Sequence, residues 1–212
     1  MYTLLAHGSS NAKHAQQAQL LAEQVSALLE KPVAVSFLSD KSLVKDAIVL
    51  PLFLSNGKHM QQDVPALIQA SNATMLPPLI EAVDELAALI IDELTQTTKR
   101  VHVVAVVYQF TRFEKIVSAL YKQGKGCSLF AISSLHGTPS VQSVLQKLQK
   151  QGLKKVVLQP ILLLDGHSLE LCKTQAAQVD IEVEVKPALI DIKGFAAVVA
   201  NIFKQGDYEK VG

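Results

Sequence analysis

Runs of Val, Ile and Leu about one strand long recur along the chain, separated by stretches whose apolar residues fall three and four positions apart. The runs are Tyr2–Ala6, Val33–Leu38, Ala47–Leu54, Val101–Val107, Ser128–Ser133, Val156–Leu164 and Ile181–Lys186. They show no strict in-out alternation, which is the pattern of strands buried on both faces. Between them, Ala15, Ala18, Leu21, Ala22, Val25 and Leu28 share one stripe of a helix expected over Asn11–Leu29, and Ala82–Leu94 and Val141–Gln151 read alike. Alternation of this kind predicts an α/β fold, with a parallel sheet and helices on both of its faces.

The pattern also repeats. "VVLQPILLLDGHSLELC", Val156 to Cys172, echoes "IVLPLFLSNGKHMQQDV", Ile48 to Val64: each is an apolar strand that contains a proline and runs into a turn with glycine and histidine. "VHVVAVVYQFTRFEKIVSAL" aligns with "MYTLLAHGSSNAKHAQQAQLLA" as strand then helix, with Tyr108-Gln109-Phe110 where the first copy has His7-Gly8-Ser9. The join falls in the polar segment Gln96–Arg100, so the expected organisation is two similar three-layer lobes, 1–97 and 98–212, of flavodoxin-like topology, facing each other across a cleft. One segment fits poorly. The first lobe spends only "SDKSLVKD" between Leu38 and Ala47, where the second spends "SLHGTPSVQSVLQKLQKQGLKK" and a parallel crossover needs about a dozen residues or more. Either a very short helix lies there or the Val33–Leu38 strand is misplaced; a missing helix leaves one side of the lobe open.

Composition narrows the function. Of 212 residues 49% are hydrophobic and 18% charged, which suits a well-packed core and not a disordered chain. A net charge of +1 argues against nucleic acid as a main partner. No apolar run reaches the roughly 18 residues of a membrane helix, and no basic region followed by an apolar stretch opens the chain, so neither a membrane partner nor a signal peptide is expected. Cys127 and Cys172 form no CxxC and read as free thiols of a cytoplasmic protein.

The candidate chemistry lies at strand ends. His7 closes the first strand in "LLAHGSSN", and His59 follows the third in "PLFLSNGKHMQQDVP". Ligands of parallel α/β sheets sit beyond the carboxyl ends of the strands, and the first and third strands of such a lobe are commonly neighbours, so His7 and His59 are expected to share one space. Gly8 and Gly57 allow unusual backbone conformations, and the helix starts near Ser9, Ser10 and Asn11 and near Asp63 and Pro65 offer N–H groups to carboxylates. Two neutral imidazoles can hold a borderline transition metal or take protons near neutral pH; two ligands fall short of a closed structural zinc site and suit a metal in transit. Asn56 and Lys58 are added as substrate-binding candidates, and His136 and His167 as candidates for the second-lobe side of the cleft. His14 and His102 read as incidental, Tyr108, Phe110 and Phe113 as packing, and Lys147, Lys150, Lys154 and Lys155 as a solvated face. Phosphoryl transfer through His7 lacks a glycine-rich Walker pattern or an acidic magnesium site.

"LLAHGSSN" together with "LPLFLSNGKHMQQDVP" resembles the CbiX-type sirohydrochlorin chelatases, the class II enzymes that work without ATP. His7 and His59 stand at that family's two histidine positions, and Gly8, Ser9, Pro51, Gly57, Asp63 and Pro65 match its pattern; Ser10 stands where the family often has arginine. The likeness covers about the first 95 residues and continues in outline to Lys186, as in the two-lobed long members. It implies a chelatase-like fold and a lyase that inserts Co²⁺ or Fe²⁺ into sirohydrochlorin, for cobalamin or sirohaem, with His7 and His59 delivering metal and accepting pyrrole protons. It implies a tetrapyrrole as partner, the metal as a substrate, no permanent cofactor, and a monomer or homodimer. A non-catalytic tetrapyrrole or metal carrier of the same fold is the alternative. Related chelatases keep a working histidine in the C-terminal half, a second reason to follow His136 and His167.

Overall fold

The computed structural model describes residues 1–8, 12–96, 102–110 and 113–208. Two four-stranded parallel sheets carry the architecture. In chain order the first half runs β1 (Tyr2–Ala6), α1 (Ala12–Leu29), β2 (Val33–Phe37), β3 (Ile48–Pro51), α2 (Val64–Ala70), β4 (Thr74–Met75) and α3 (Val83–Gln96). The second runs β5 (His102–Val107), α4 (Glu114–Gln123), β6 (Leu129–Ser134), α5 (Val141–Lys150), β7 (Lys155–Pro160), α6 (His167–Ala176), β8 (Glu182–Val185) and α7 (Phe195–Tyr208). The sheets have strand orders β2-β1-β3-β4 and β6-β5-β7-β8, the same topology twice. The central strands β1 and β5 are apolar throughout or nearly so and buried along their length apart from His102, as the unbroken apolar runs require.

Two strands are shorter than the apolar runs that predict them. β3 ends at Pro51 and β7 at Pro160, not at Leu54 and Leu164. Each proline marks the limit of its neighbour. Ile48 and Leu52 give their N–H groups to Met1 and Leu5 on the β1 side, so the position of Pro51 faces β4, whose register stops at Val49↔Met75. Ile161 donates to Val106, so Pro160 faces β8, whose register stops at Leu158↔Val185. A proline has no N–H to donate, and in both lobes it occupies a place where no strand remains to accept one. In α1 the buried stripe is narrower than its spacing predicts: Ala18, Leu21, Ala22 and Val25 are buried while Ala15 and Leu28 are exposed.

Compact units do not coincide with the repeat at its ends. One unit comprises Met1–Leu86 with Lys193–Gly212, the other Ala87–Ile192, so the last helix completes the first unit. The cause is packing on α1 and β1. The Phe203 ring lies 4.9 Å from that of Tyr2, Phe195 and Phe203 are both fully buried, and a β-carbon on Gly206 would strike the Leu76 side chain.

The short connection between β2 and β3 is real. Val33–Phe37 is a strand in register with β1, and a 3₁₀ turn over Leu38–Asp40 takes the place of a crossover helix. In the second unit α5 fills that connection, and its Val141, Leu145 and Leu148 join Leu169, Cys172 and Ala176 of α6 in one core. In the first unit only the partly buried Leu38 and Leu43 and the small, buried Ala47 come from the connection to the cluster around Val49, Met60, Val64 and Leu67. Ala66 and Ala70 of α2 stay exposed, and a cavity of about 850 Å³ opens beside them.

Both cysteines are free. Burial pushes the Cys172 thiol up to about 12, against a smaller downward pull from Lys173, and raises Cys127 as well. Neither is a thiolate at neutral pH, so neither takes part in the chemistry below. No helix among the described residues is long and apolar enough to cross a membrane.

Candidate active site

β1 and β3 are neighbours in register from Tyr2↔Ile48 to Leu5↔Pro51. His7 leaves the end of β1. The Leu52 N–H still bonds the Leu5 carbonyl at 2.9 Å, so the chain after β3 starts its turn from beside β1. It returns at a π-helical turn, His59–Asp63, in which the Val64 N–H reaches the His59 carbonyl. Pro65 follows directly; it cannot donate to Gln61, and its ring would crowd that carbonyl in a tight α-turn, so a wider turn suits it.

The two imidazoles meet. His7 Nε2 and His59 Nε2 are 3.0 Å apart, with the rings edge to face at 74°. The outer nitrogens fix the tautomers. His59 Nδ1 lies 2.6 Å from Asp63 Oδ2, so it carries the hydrogen and donates to the carboxylate. His7 Nδ1 lies 2.8 Å from the Gly8 carbonyl and donates to it. With both rings neutral, each Nε2 is then left with a lone pair 3.0 Å from the other, a contact that a proton or a metal cation between them makes attractive. Ligand nitrogens about 2.1 Å from a metal and near a right angle apart are separated by about 3.0 Å. Among the described residues no group of three or more His, Cys, Asp or Glu completes a closed metal site, so the pair leaves coordination positions open. His59 and Asp63 are each 46% exposed, accessible to an incoming ion.

The pair lies in the 850 Å³ cavity with Gly8, Leu38, Ser39, Lys41, Asp63, Ala66, Leu67 and Ala70. That volume falls within the roughly 300–1,000 Å³ of small-molecule sites. Gly8 earns its place twice: its φ is +89°, and a β-carbon there would lie 2.6 Å from Ser39 Oγ and 3.2 Å from Phe37 Cβ. Gly8→Ala is therefore expected to destabilise the protein by more than ~1 kcal/mol and to displace His7. Thermal unfolding measures the first effect, and a drop in Co²⁺ affinity the second. Adding Ser39→Gly should recover only the part due to the clash.

The other sequence candidates fall elsewhere. Ser9 and Ser10 lie outside the described residues. Asn56, Gly57 and Lys58 precede the π-helical turn and do not line the cavity: the Asn56 carbonyl accepts from Gln61 Nε2, the Gly57 carbonyl from the Gln61 N–H, and Lys58 is exposed with helical φ and ψ. Gly57 does not use the positive-φ region that Gly8 does. In the second unit Tyr108 takes the strand-end place that His7 has in the first, and His136 packs on it with ring centroids 4.6 Å apart. His167 is exposed at the first position of α6. Asp63 is the residue that strand-end reasoning passes over, since it reads there as a helix start. Its spacing of four from His59 on a helical turn was the available signal.

Residues 2–103 match the CbiX family model. Among solved structures, a CbiX described as the terminal enzyme of siroheme biosynthesis in denitrifying bacteria superposes with a TM-score of 0.73 at 16% identity, covering 96% of this chain and 98% of the other. SirB from Bacillus subtilis with Fe³⁺ gives 0.73 at 15% identity, over 97% and 95% of the two chains. The sirohydrochlorin chelatase SirB from Bacillus subtilis subspecies spizizenii in complex with cobalt gives 0.65 at 19%, over 97% and 93%. A search of curated proteins finds no match. At these identities the structural likeness establishes the fold over nearly the whole chain, and the family match places the resemblance to CbiX in residues 2–103.

Proposed function

We propose that this protein inserts a divalent metal, Co²⁺ or Fe²⁺, into sirohydrochlorin without ATP. The observation that carries the reading is the approach of the His7 and His59 Nε2 atoms to 3.0 Å inside an open cavity. Such a pair can take a hydrated dication, strip part of its water and leave the remaining positions for pyrrole nitrogens. Two pyrrole protons must leave as the metal enters, and imidazole nitrogens released by the metal are placed to accept them. Bending the macrocycle so that its nitrogens become reachable is strain, which binding energy away from those nitrogens supplies. The metal is a substrate, and the reading requires no resident cofactor.

Mixing the protein with sirohydrochlorin and Co²⁺ or Fe²⁺ and following the absorption spectrum tests the proposal. Metallation well above the rate of metal in buffer is expected, and the ratio of the two rates identifies the preferred ion. A spectral shift on binding, with metallation no faster than in buffer, would identify a tetrapyrrole carrier instead.

A further inference from the structure

Sirohydrochlorin is a polycarboxylate around an apolar ring, and the cavity is uneven in the same way. Leu38, Ala66, Leu67 and Ala70 give it apolar wall. Among the described lining residues Asp63 is the one carboxylate, and it is engaged by His59. Among the described lining residues Lys41 is the one lysine or arginine, and it is exposed. We propose that Lys41 is a positioning residue that anchors a peripheral carboxylate of the macrocycle while the ring lies on the apolar wall; this rests on the chelatase reading above.

The backbone supports the assignment. Lys41 sits at φ 52° and ψ 22°, the left-handed region that a glycine enters without strain and a lysine does not. The turn around it is built to hold that conformation. The Lys41 N–H bonds the Leu38 carbonyl at 3.3 Å. Asp40 Oδ2 accepts the Phe37 N–H at 3.2 Å, and Asp40 Oδ1 accepts from Ser39 Oγ at 3.3 Å. Glu30, Asp46 and Asn72 also occupy this region, but Lys41 is the one of the four that lines the cavity, on the side the missing crossover helix leaves open, where its ammonium group has a use.

Lys41→Gly separates the two roles, because it relieves the backbone and removes the charge. Metal-free sirohydrochlorin is titrated against wild type, Lys41→Gly and Lys41→Arg at low and high salt, with thermal melts and steady-state insertion kinetics alongside. Lys41→Gly should melt no lower than wild type, bind the macrocycle roughly three- to tenfold more weakly with a smaller loss on adding salt, and raise KM more than it lowers kcat. Lys41→Arg should bind like wild type. Unchanged affinity and salt dependence in Lys41→Gly overturns the proposal, as does a lower melting temperature with unchanged affinity, which assigns the residue to the fold. Wild type that neither binds nor metallates sirohydrochlorin overturns the chelatase reading itself, whereas normal wild-type turnover with a silent Lys41→Gly removes Lys41 alone.

Discussion

His7→Ala and His59→Ala are each expected to lower metal insertion by roughly 10²-fold or more while leaving the melting temperature near that of wild type. The second half of the expectation follows from exposure. Both imidazoles stand free of the core, and substitutions of exposed side chains usually move stability by within about 0.5 kcal/mol. The first half follows from the shared point between the two Nε2 atoms. With one imidazole gone the other can still meet an ion, but not hold it by two ligands, and one proton acceptor is lost. Because the two act as a unit, the double variant should be little worse than the poorer single variant. Sirohydrochlorin binding, read without metal, should persist in all three. Insertion at the wild-type rate in either single variant would remove that histidine from the mechanism.

Much of this geometry was visible in the residues because parallel strands buried on both faces leave unbroken apolar runs. β1 could be placed to the residue from Tyr2–Ala6, and the strand-end positions of His7 and Tyr108 followed from the repeat. The ends of β3 and β7 were less legible: after Pro51 and Pro160 the apolar residues Leu52, Leu54, Ile161 and Leu162 are still buried, so hydrophobicity alone does not separate them from the ladder. The destination of α7 was not legible at all. Its apolar stripe fits any neighbour, and it is the packing on α1, the Tyr2–Phe203 contact and the closeness of Gly206 to Leu76 that tie it to the first unit. The shortness of the Leu38–Ala47 connection was plain, but the residues alone left a very short helix, a misplaced strand and an open side to the lobe as alternatives. That the opening would be a cavity bearing the histidine pair depends on three-dimensional neighbours that spacing does not encode.

Asp63→Ala should cost roughly 10- to 100-fold in Co²⁺ affinity and in insertion, although Asp63 is not a ligand. Its carboxylate does two things for His59. By accepting the Nδ1 hydrogen at 2.6 Å it keeps that hydrogen off Nε2, the atom that must offer a lone pair, and it locks the ring in the orientation that meets His7. Its negative charge also makes the imidazole a stronger donor to a cation. Asp63→Asn divides these contributions, since the asparagine side-chain oxygen can still accept from Nδ1 but brings no charge. The asparagine variant is therefore expected between wild type and alanine, and Lys41→Gly should leave the metal affinity untouched. Co²⁺ titration of the four proteins without tetrapyrrole, followed by visible absorption, reads the order directly. Equal affinities for wild type and Asp63→Ala would mean that the π-helical turn alone orients His59 and that the carboxylate contact is incidental.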